Sequence, residues 1–381
     1  MITYTVTQVL EGIWPLAILG YGVSVVLTPV VRWIAYRRKI VDRPDDLLKP
    51  HRRPIAYLGG VALCGGFLAA MIVGVASRPE LWPLALPIGI AAIVITLTGL
   101  LDDLFNLTPK YKVLGQVIAA AVLFWGLRQA GVDTSAARIF FLSLGMEPPA
   151  ALAVGVSAAL TLVVVVAACN ATNLLDGLDG LCGGVTGIIA LGFVALAVWL
   201  ACWGHDWQTD QFRVMLSLAM AGAVLGFLPY NIPPASIFLG DAGSMLLGFF
   251  VATMIMLFAR EGTIRWFLAA CVIFGLPIID TALAVVRRTV AGVNIFTGDR
   301  GHLYDQLVDR GMTVKQVVAL FYGLALVAAT LGVGQAIFLR ARYALLVDLC
   351  VAGMVAAVFI KKKMILPDRR RPAEKDETDG G

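Results

Sequence analysis

Residues 151–202 read ALAVGVSAALTLVVVVAACNATNLLDGLDGLCGGVTGIIALGFVALAVWLAC. Two apolar runs, 151–168 and 181–202, flank a polar insert at 169–180 that carries two amides and two carboxylates. Each run approaches the roughly 20 residues that carry a helix across a bilayer. In lipid, a helix satisfies its backbone hydrogen bonds within itself. This stretch therefore predicts two membrane helices joined by a chemically loaded turn at one membrane surface.

The rest of the chain repeats the pattern. Of its 381 residues 59% are hydrophobic and 14% charged, with a mean hydropathy of +0.86; soluble domains carry about 25% charged residues. Apolar runs near 13–31, 57–76, 83–101, 113–127, 151–168, 181–202, 213–229, 237–258, 266–286, 316–338 and 343–360 predict an all-α polytopic membrane protein with about 11 transmembrane helices. The run at 13–31 is too long for a removable signal peptide and no small-residue cleavage site follows it, so it is expected to be a mature span. Residues 1–360 read as a single helical transmembrane catalytic domain, and 361–381 as a polar, disordered cytoplasmic tail. The six cysteines lie in or beside apolar runs without CxxC pairing and read as small core residues. The net charge of +5 is modest, and no basic patch with interleaved aromatics marks nucleic acid as a partner.

Orientation follows from lysine and arginine. One set of alternate loops, with the tail, holds 22 of the 30. That set is expected in the cytoplasm, with the N-terminus outside and the C-terminus inside. Of the 25 acidic residues 17 fall on the same side. Acids do not set topology, so their clustering asks for chemistry.

Five segments carry it. The first is KPHRRP (49–54), followed by LGG (58–60). Its donors Lys49 and Arg53 suit phosphate, although a basic anchor on lipid headgroups would look the same. The second is the pair Asp102 and Asp103 at a span end, followed by Lys110 and Lys112. Adjacent carboxylates suit a divalent cation or a general base; a solvated helix end is the plainer reading. The third is NATNLLDGLDGL (170–181), with Asn170, Asn173, Asp176 and Asp179 and a glycine after each aspartate. Each Asp-Gly pair predicts a turn, and so oxygen-rich a turn suits Mg2+ and ribose or base recognition. The fourth is NIPP (231–234) with FLGDAGS (238–244). There Asp241 enters an apolar span, where it is either a metal ligand or a helix-capping acid. The fifth, the long loop 287–315, holds GDRGHLYD (298–305), in which His302 suits phosphate contact or proton transfer. Asp280, inside the ninth span, needs an arginine partner or a polar cavity.

These five segments, in this order on one membrane face, resemble the polyprenyl-phosphate N-acetylhexosamine-1-phosphate transferases, over about residues 49–309. The NxxNxxDGxDGL and FxGDxGS patterns are the specific part. The KPHRRP segment is nearer the WecA/TagO-like branch than the related MraY branch. The last motif, HLYD (302–305), departs from the His-x-His-His common in the former. The resemblance implies transfer of an N-acetylhexosamine 1-phosphate, GlcNAc-1-phosphate first among them, from a UDP-sugar to undecaprenyl phosphate. UMP would be released in a first membrane step of cell-envelope polysaccharide synthesis. It implies Mg2+, replaceable by Mn2+, held by Asn173 and Asp241. It makes Asp102, Asp103, Lys112 and His302 catalytic. Lys49, Arg53, Asn170, Asp176, Gly177, Leu178, Asp179, Asn231, Phe238 and Arg300 become substrate contacts, with Asn231 and Phe238 beside the uracil. Lys112 is followed by Gln116, as the phosphate-side lysine of the family should be. The expected setting is the inner (plasma) membrane, with the site on the cytoplasmic face, membrane lipid around it and a homodimer as the assembly.

Two other readings compete. An ion-coupled transporter also places carboxylates in membrane helices, but near mid-span. The same chemistry on UDP-MurNAc-pentapeptide is the other. A CDP-alcohol phosphatidyltransferase would need Ala-Arg after its Asp-Gly, which 176–179 does not supply.

Overall fold

The computed structural model describes residues 3–42, 54–131, 147–203, 206–259, 264–292 and 301–361. A short helix, α1 (Val6–Leu10), opens on a Thr5–Gln8 capping box. After α2 (Pro15–Arg38), a two-residue ribbon pairs β1 (Val41–Asp42) antiparallel with β2 (Ile55–Ala56). Then come α3 (Gly59–Ala76), α4 (Trp82–Phe105), α5 (Pro109–Gln129), α6 (Ala150–Leu175), α7 (Leu181–Trp203) and α8 (Trp207–Asn231). The chain continues through α9 (Gly240–Phe258), α10 (Ile264–Ile273), α11 (Gly275–Ala291), α12 (Leu303–Asp309), α13 (Val314–Phe338) and α14 (Ala341–Lys361).

The protein is thus an all-α polytopic membrane protein. Among the described residues nine helices are long and apolar enough to cross a membrane, ten if the bent pair α10–α11 counts as one. The last expected span, 343–360, forms α14, a helix of 21 residues that is not among the nine, so the described residues give nine or ten spans where about 11 were expected. The expected single span at 266–286 is instead two helices meeting at 74°. Pro277 has no N–H to offer the carbonyl four residues back, so the hydrogen-bond ladder stops there. The expected long loop 287–315 is partly helical: α11 runs on to Ala291, and α12 forms before α13 begins.

The core centres on α9, where every residue of 242–258 is buried. A helix apolar on all sides belongs inside its bundle. Its neighbours come close because they present glycine. A Cβ on Gly60 of α3 would strike the backbone of Gly243, and one on Gly99 of α4 would strike the backbone of Asp241. Small residues let membrane helices meet backbone to backbone. That approach sets the ends of α3 and α4 against the start of α9. Outward faces of α2, α4 and α13 carry exposed apolar side chains such as Val26, Leu97 and Leu326, as lipid contact requires.

Candidate active site

Four helix ends converge where α9 begins. The last turn of α4 carries Asp102 and Asp103, and the first turn of α5 carries Lys112. The last turn of α6 carries Asn173, and the first turn of α9 carries Asp241. Lys112 Nζ lies 2.5 Å from Asp102 Oδ2 and 2.7 Å from Asp241 Oδ2. Asn173 Nδ2 donates to the other Asp241 oxygen at 2.8 Å and to Ser244 Oγ at 3.1 Å. Residues as far as 139 apart in sequence therefore form one polar cluster.

The adjacent aspartates diverge, since successive helix positions point about 100° apart. Asp102 faces Lys112. Asp103 accepts the backbone N–H groups of Asp241 (2.8 Å) and Ala242 (3.1 Å) at the N-terminus of α9, where the helix dipole favours an anion. Gly240 makes room for it: its φ is +72°, and a Cβ there would sit 2.7 Å from Asp103 Oδ2. Both Asp103 oxygens are thus committed, whereas the buried Asp102 Oδ1 has no hydrogen-bond partner among the described residues.

The turn at 176–180 joins α6 to α7. Asp179 Oδ2 accepts from the Ala235 N–H at 2.8 Å. Asn231 is buried, accepts from the Gly180 N–H and donates to the Ile237 carbonyl, each at 3.1 Å. These bonds stitch the third loop to the fourth, and in this arrangement Asn231 uses both ends of its amide inside the protein. Asn170 likewise bonds inward, to Gln116 Oε1 of α5 at 3.0 Å and to the Val166 carbonyl at 2.7 Å. Phe238 is tied by backbone bonds to Ala56 and Gly59, and its ring lies 5.9 Å from that of Tyr57. Leu178 packs half-buried on the core. Asp176 keeps some exposure as a residue, yet burial of its carboxyl, then Asp241, Asp103 and Asp179 nearby, hold that carboxyl well above the usual carboxylate range.

His302 lies in a second polar group. Its Nδ1 is 2.9 Å from Asp280 Oδ2, and the Leu303 N–H donates to Asp280 Oδ1 at 2.8 Å. The imidazole stacks on Tyr304, with centroids 5.6 Å apart and planes at 7°. The Tyr304 hydroxyl donates to the Leu174 carbonyl, next to Asn173, and its ring covers the space a Cβ on Gly177 would need. The fifth segment is thereby docked on the third. Burial pushes the Asp305 carboxyl up to about 6, with His302 opposing and Asp280 and Asp309 adding.

Lys49, Arg53 and Arg300 lie outside the described residues. Asp280 takes a histidine where an arginine or a cavity was expected. Its signal in the sequence was only a carboxylate in an apolar run. Tyr57 gave no signal, yet burial and then Asp42, Asp103 and Asp241 raise its phenol above the usual tyrosine range, which puts it beside the acidic cluster.

A family model described as glycosyl transferase family 4 matches residues 85–259, which include Asp102, Lys112, Asn173 and Asp241. Over 328 residues the chain is 33% identical to a decaprenyl-phosphate N-acetylglucosaminephosphotransferase of Mycobacterium leprae (strain TN), covering 81% of this chain and 80% of that protein. The chain belongs to the polyprenyl-phosphate N-acetylhexosamine-1-phosphate transferase family. A probable undecaprenyl-phosphate N-acetylglucosaminyl 1-phosphate transferase of Bacillus subtilis (strain 168) is 29% identical over 300 residues, 78% of this chain and 77% of that protein. The phospho-N-acetylmuramoyl-pentapeptide-transferase of the same strain is 30% identical over 333 residues, 83% of this chain and 95% of that protein. Both branches of the family thus align with most of the chain.

Proposed function

We propose that this protein transfers N-acetylglucosamine 1-phosphate from UDP-GlcNAc to a polyprenyl phosphate and releases UMP, at the cytoplasmic face of the inner membrane. The activities for which the mycobacterial and Bacillus relatives are named support the sugar and the acceptor. The excess of lysine and arginine on the motif-bearing side supports the face. The observation that carries the reading is the Asp102–Lys112–Asp241–Asn173 cluster at one end of the bundle. A transporter is not favoured, since these groups sit at helix ends rather than mid-span. UDP-MurNAc-pentapeptide is not favoured over UDP-GlcNAc by the relatives' names.

The donor set suits Mg2+. Among the described residues no three His, Cys, Asp or Glu side chains form a metal-holding group. Mg2+, however, is commonly held by one or two protein oxygens together with substrate phosphates and water. Asn173 and Asp241 would hold it, and the unsatisfied Asp102 Oδ1 lies in the same cluster. When bound, the ion would neutralise charge on the diphosphate oxygens.

The chain's own residues do the positioning. Lys112 balances two carboxylates and supplies positive charge where two polyanions must meet. Phosphoryl transfer depends mainly on alignment and charge stabilisation. The lipid phosphate has a second pKa of about 6 and is largely dianionic at neutral pH, so it can attack directly. Of the aspartate pair, Asp102 retains an oxygen for orienting or deprotonating the acceptor, and Asp103 holds the start of α9. A phospho-aspartate on Asp102 is the competing route; a labelled sugar phosphate trapped on the protein without lipid would establish it.

The test is a panel of UDP-GlcNAc, UDP-GalNAc and UDP-MurNAc-pentapeptide with undecaprenyl or decaprenyl phosphate, using purified protein in lipid nanodiscs. UMP release with UDP-GlcNAc is expected. No release with any donor would remove the proposal.

A further inference from the structure

We infer that Asp280 is a positioning residue for His302: it holds the imidazole with its proton on Nδ1 and leaves Nε2 as the nitrogen offered to substrate. This rests on the reading in which His302 serves the transfer.

The break between α10 and α11 brings Asp280 under α12. Both of its oxygens are engaged, one by the Leu303 N–H and one by His302 Nδ1. With Asp280 as the acceptor, the shared proton sits on Nδ1, and a ring holding its single proton there keeps its lone pair on Nε2. Stacking on Tyr304 sets the plane of the ring, and the Tyr304 bond to Leu174 sets that plane relative to the loop bearing Asn173. Position, plane and tautomer of one imidazole are thus set by three separate elements. His302 is 3% exposed and Asp280 2%, so water does not compete for Nδ1.

A simple clasp between α11 and α12 would need only the Leu303 bond. Asp280→Asn separates the two roles. Its amide oxygen can still accept from the Leu303 N–H, and its NH2 then faces Nδ1. A neutral ring must answer by moving its proton to Nε2, the wrong tautomer for a role that needs the Nε2 lone pair.

The chain has three histidines, His51, His205 and His302, so 15N-histidine spectra of the detergent-solubilised protein are tractable, with His302→Gln giving the assignment. Wild type should show Nδ1 protonated at alkaline pH, and Asp280→Asn should show Nε2 protonated. Asp305→Asn, which removes a charge near His302 but not its Nδ1 partner, should leave the tautomer unchanged. A wild-type ring with bare Nδ1 overturns the inference. In UMP release, Asp280→Asn should lose on the order of 10²- to 10⁴-fold in kcat, and Asp280→Asn/His302→Ala should be no slower than His302→Ala. Multiplying losses would place the effect of Asp280 elsewhere and overturn it too. Full activity in His302→Ala would remove the catalytic reading of His302, while the tautomer measurement still decides what Asp280 does.

Discussion

Lys112 is the residue on which the cluster turns. Its ammonium is the cation between Asp102 and Asp241, so its removal leaves two carboxylates facing each other and, on the proposed function, the substrate phosphates uncompensated. Lys112→Ala is expected to lower UMP release by roughly 10²-fold or more, as loss of a charge-stabilising group does. Lys112→Arg should rescue poorly, because a planar fork cannot replace a point charge held between two oxygens. Steady-state rates at saturating UDP-GlcNAc check both. Asp176 allows a prediction of opposite sign. Its folded-state pKa is raised by burial and neighbouring acids, so its contribution to stability is present below the unfolded value of about 3.9 and is lost as pH rises through the folded value. Asp176→Asn should therefore melt at higher temperature than wild type at pH 8 in chelator, with the difference closing toward pH 4. Thermal unfolding curves at both pH values test this.

At the scale of elements, the site depends on how closely α3 and α4 approach α9. Gly99 touches the backbone of Asp241, so Gly99→Leu must push α4 away and draw Asp102 and Asp103 off α9. Abolished UMP release with a lowered Tm is expected; retained activity would show that α4 can slide without cost. Asp103 acts through the same contact. Asp103→Ala strips two N–H groups at the start of α9 of their acceptor, an effect of about 1–3 kcal/mol, measurable as a stability loss that Asp103→Asn partly restores. The bend between α10 and α11 belongs to this scale as well. The sequence reads as one apolar run there, and the helix breaks because Pro277 interrupts the ladder just after Gly275.

Across the whole molecule, α9 carries the polar cluster at one end and is clamped at the other. Arg213 and Asp210 of α8 are both 0% exposed, with Nη1 2.6 Å from Oδ1. Arg213 also donates to the Leu257 carbonyl at 2.5 Å and lies over the Phe258 ring. Arg213, the first residue of the apolar run 213–229, is buried in the bundle. Breaking the pair with Arg213→Ala should cost about 3–5 kcal/mol, and an apolar replacement of both partners should recover most of it. Detergent-resistant folding, followed by size-exclusion and thermal denaturation, measures both variants. The proposed metal dependence would also be a property of the assembled site, since its proposed ligands come from α6 and α9. Chelation should abolish UMP release, and added Mg2+ or Mn2+ should restore it.

The sequence alone determined the class of fold, because apolar runs long enough for a bilayer leave the backbone no choice but helix. It also determined the family, since the segments 170–181 and 238–244 are specific enough in residue type and spacing to read without a structure. It put Asp102, Asp103, Asn173 and Asp241 at the ends of apolar runs on one expected side, and the structure brings them together. It did not show that the aspartate pair splits its work, because that depends on where the start of α9 lies relative to α4. Nor did it show that Asn170 and Asn231 bond inward, since an amide in a loop has the same letters whether it meets ligand or backbone. The partner of Asp280 was hidden for the same reason: His302 is 22 residues away, past a helix bend that local pattern did not reveal. Pattern in a chain reports which residues are costly to bury. Which group repays that cost depends on distances between elements far apart in sequence, and those exist only once the helices have packed.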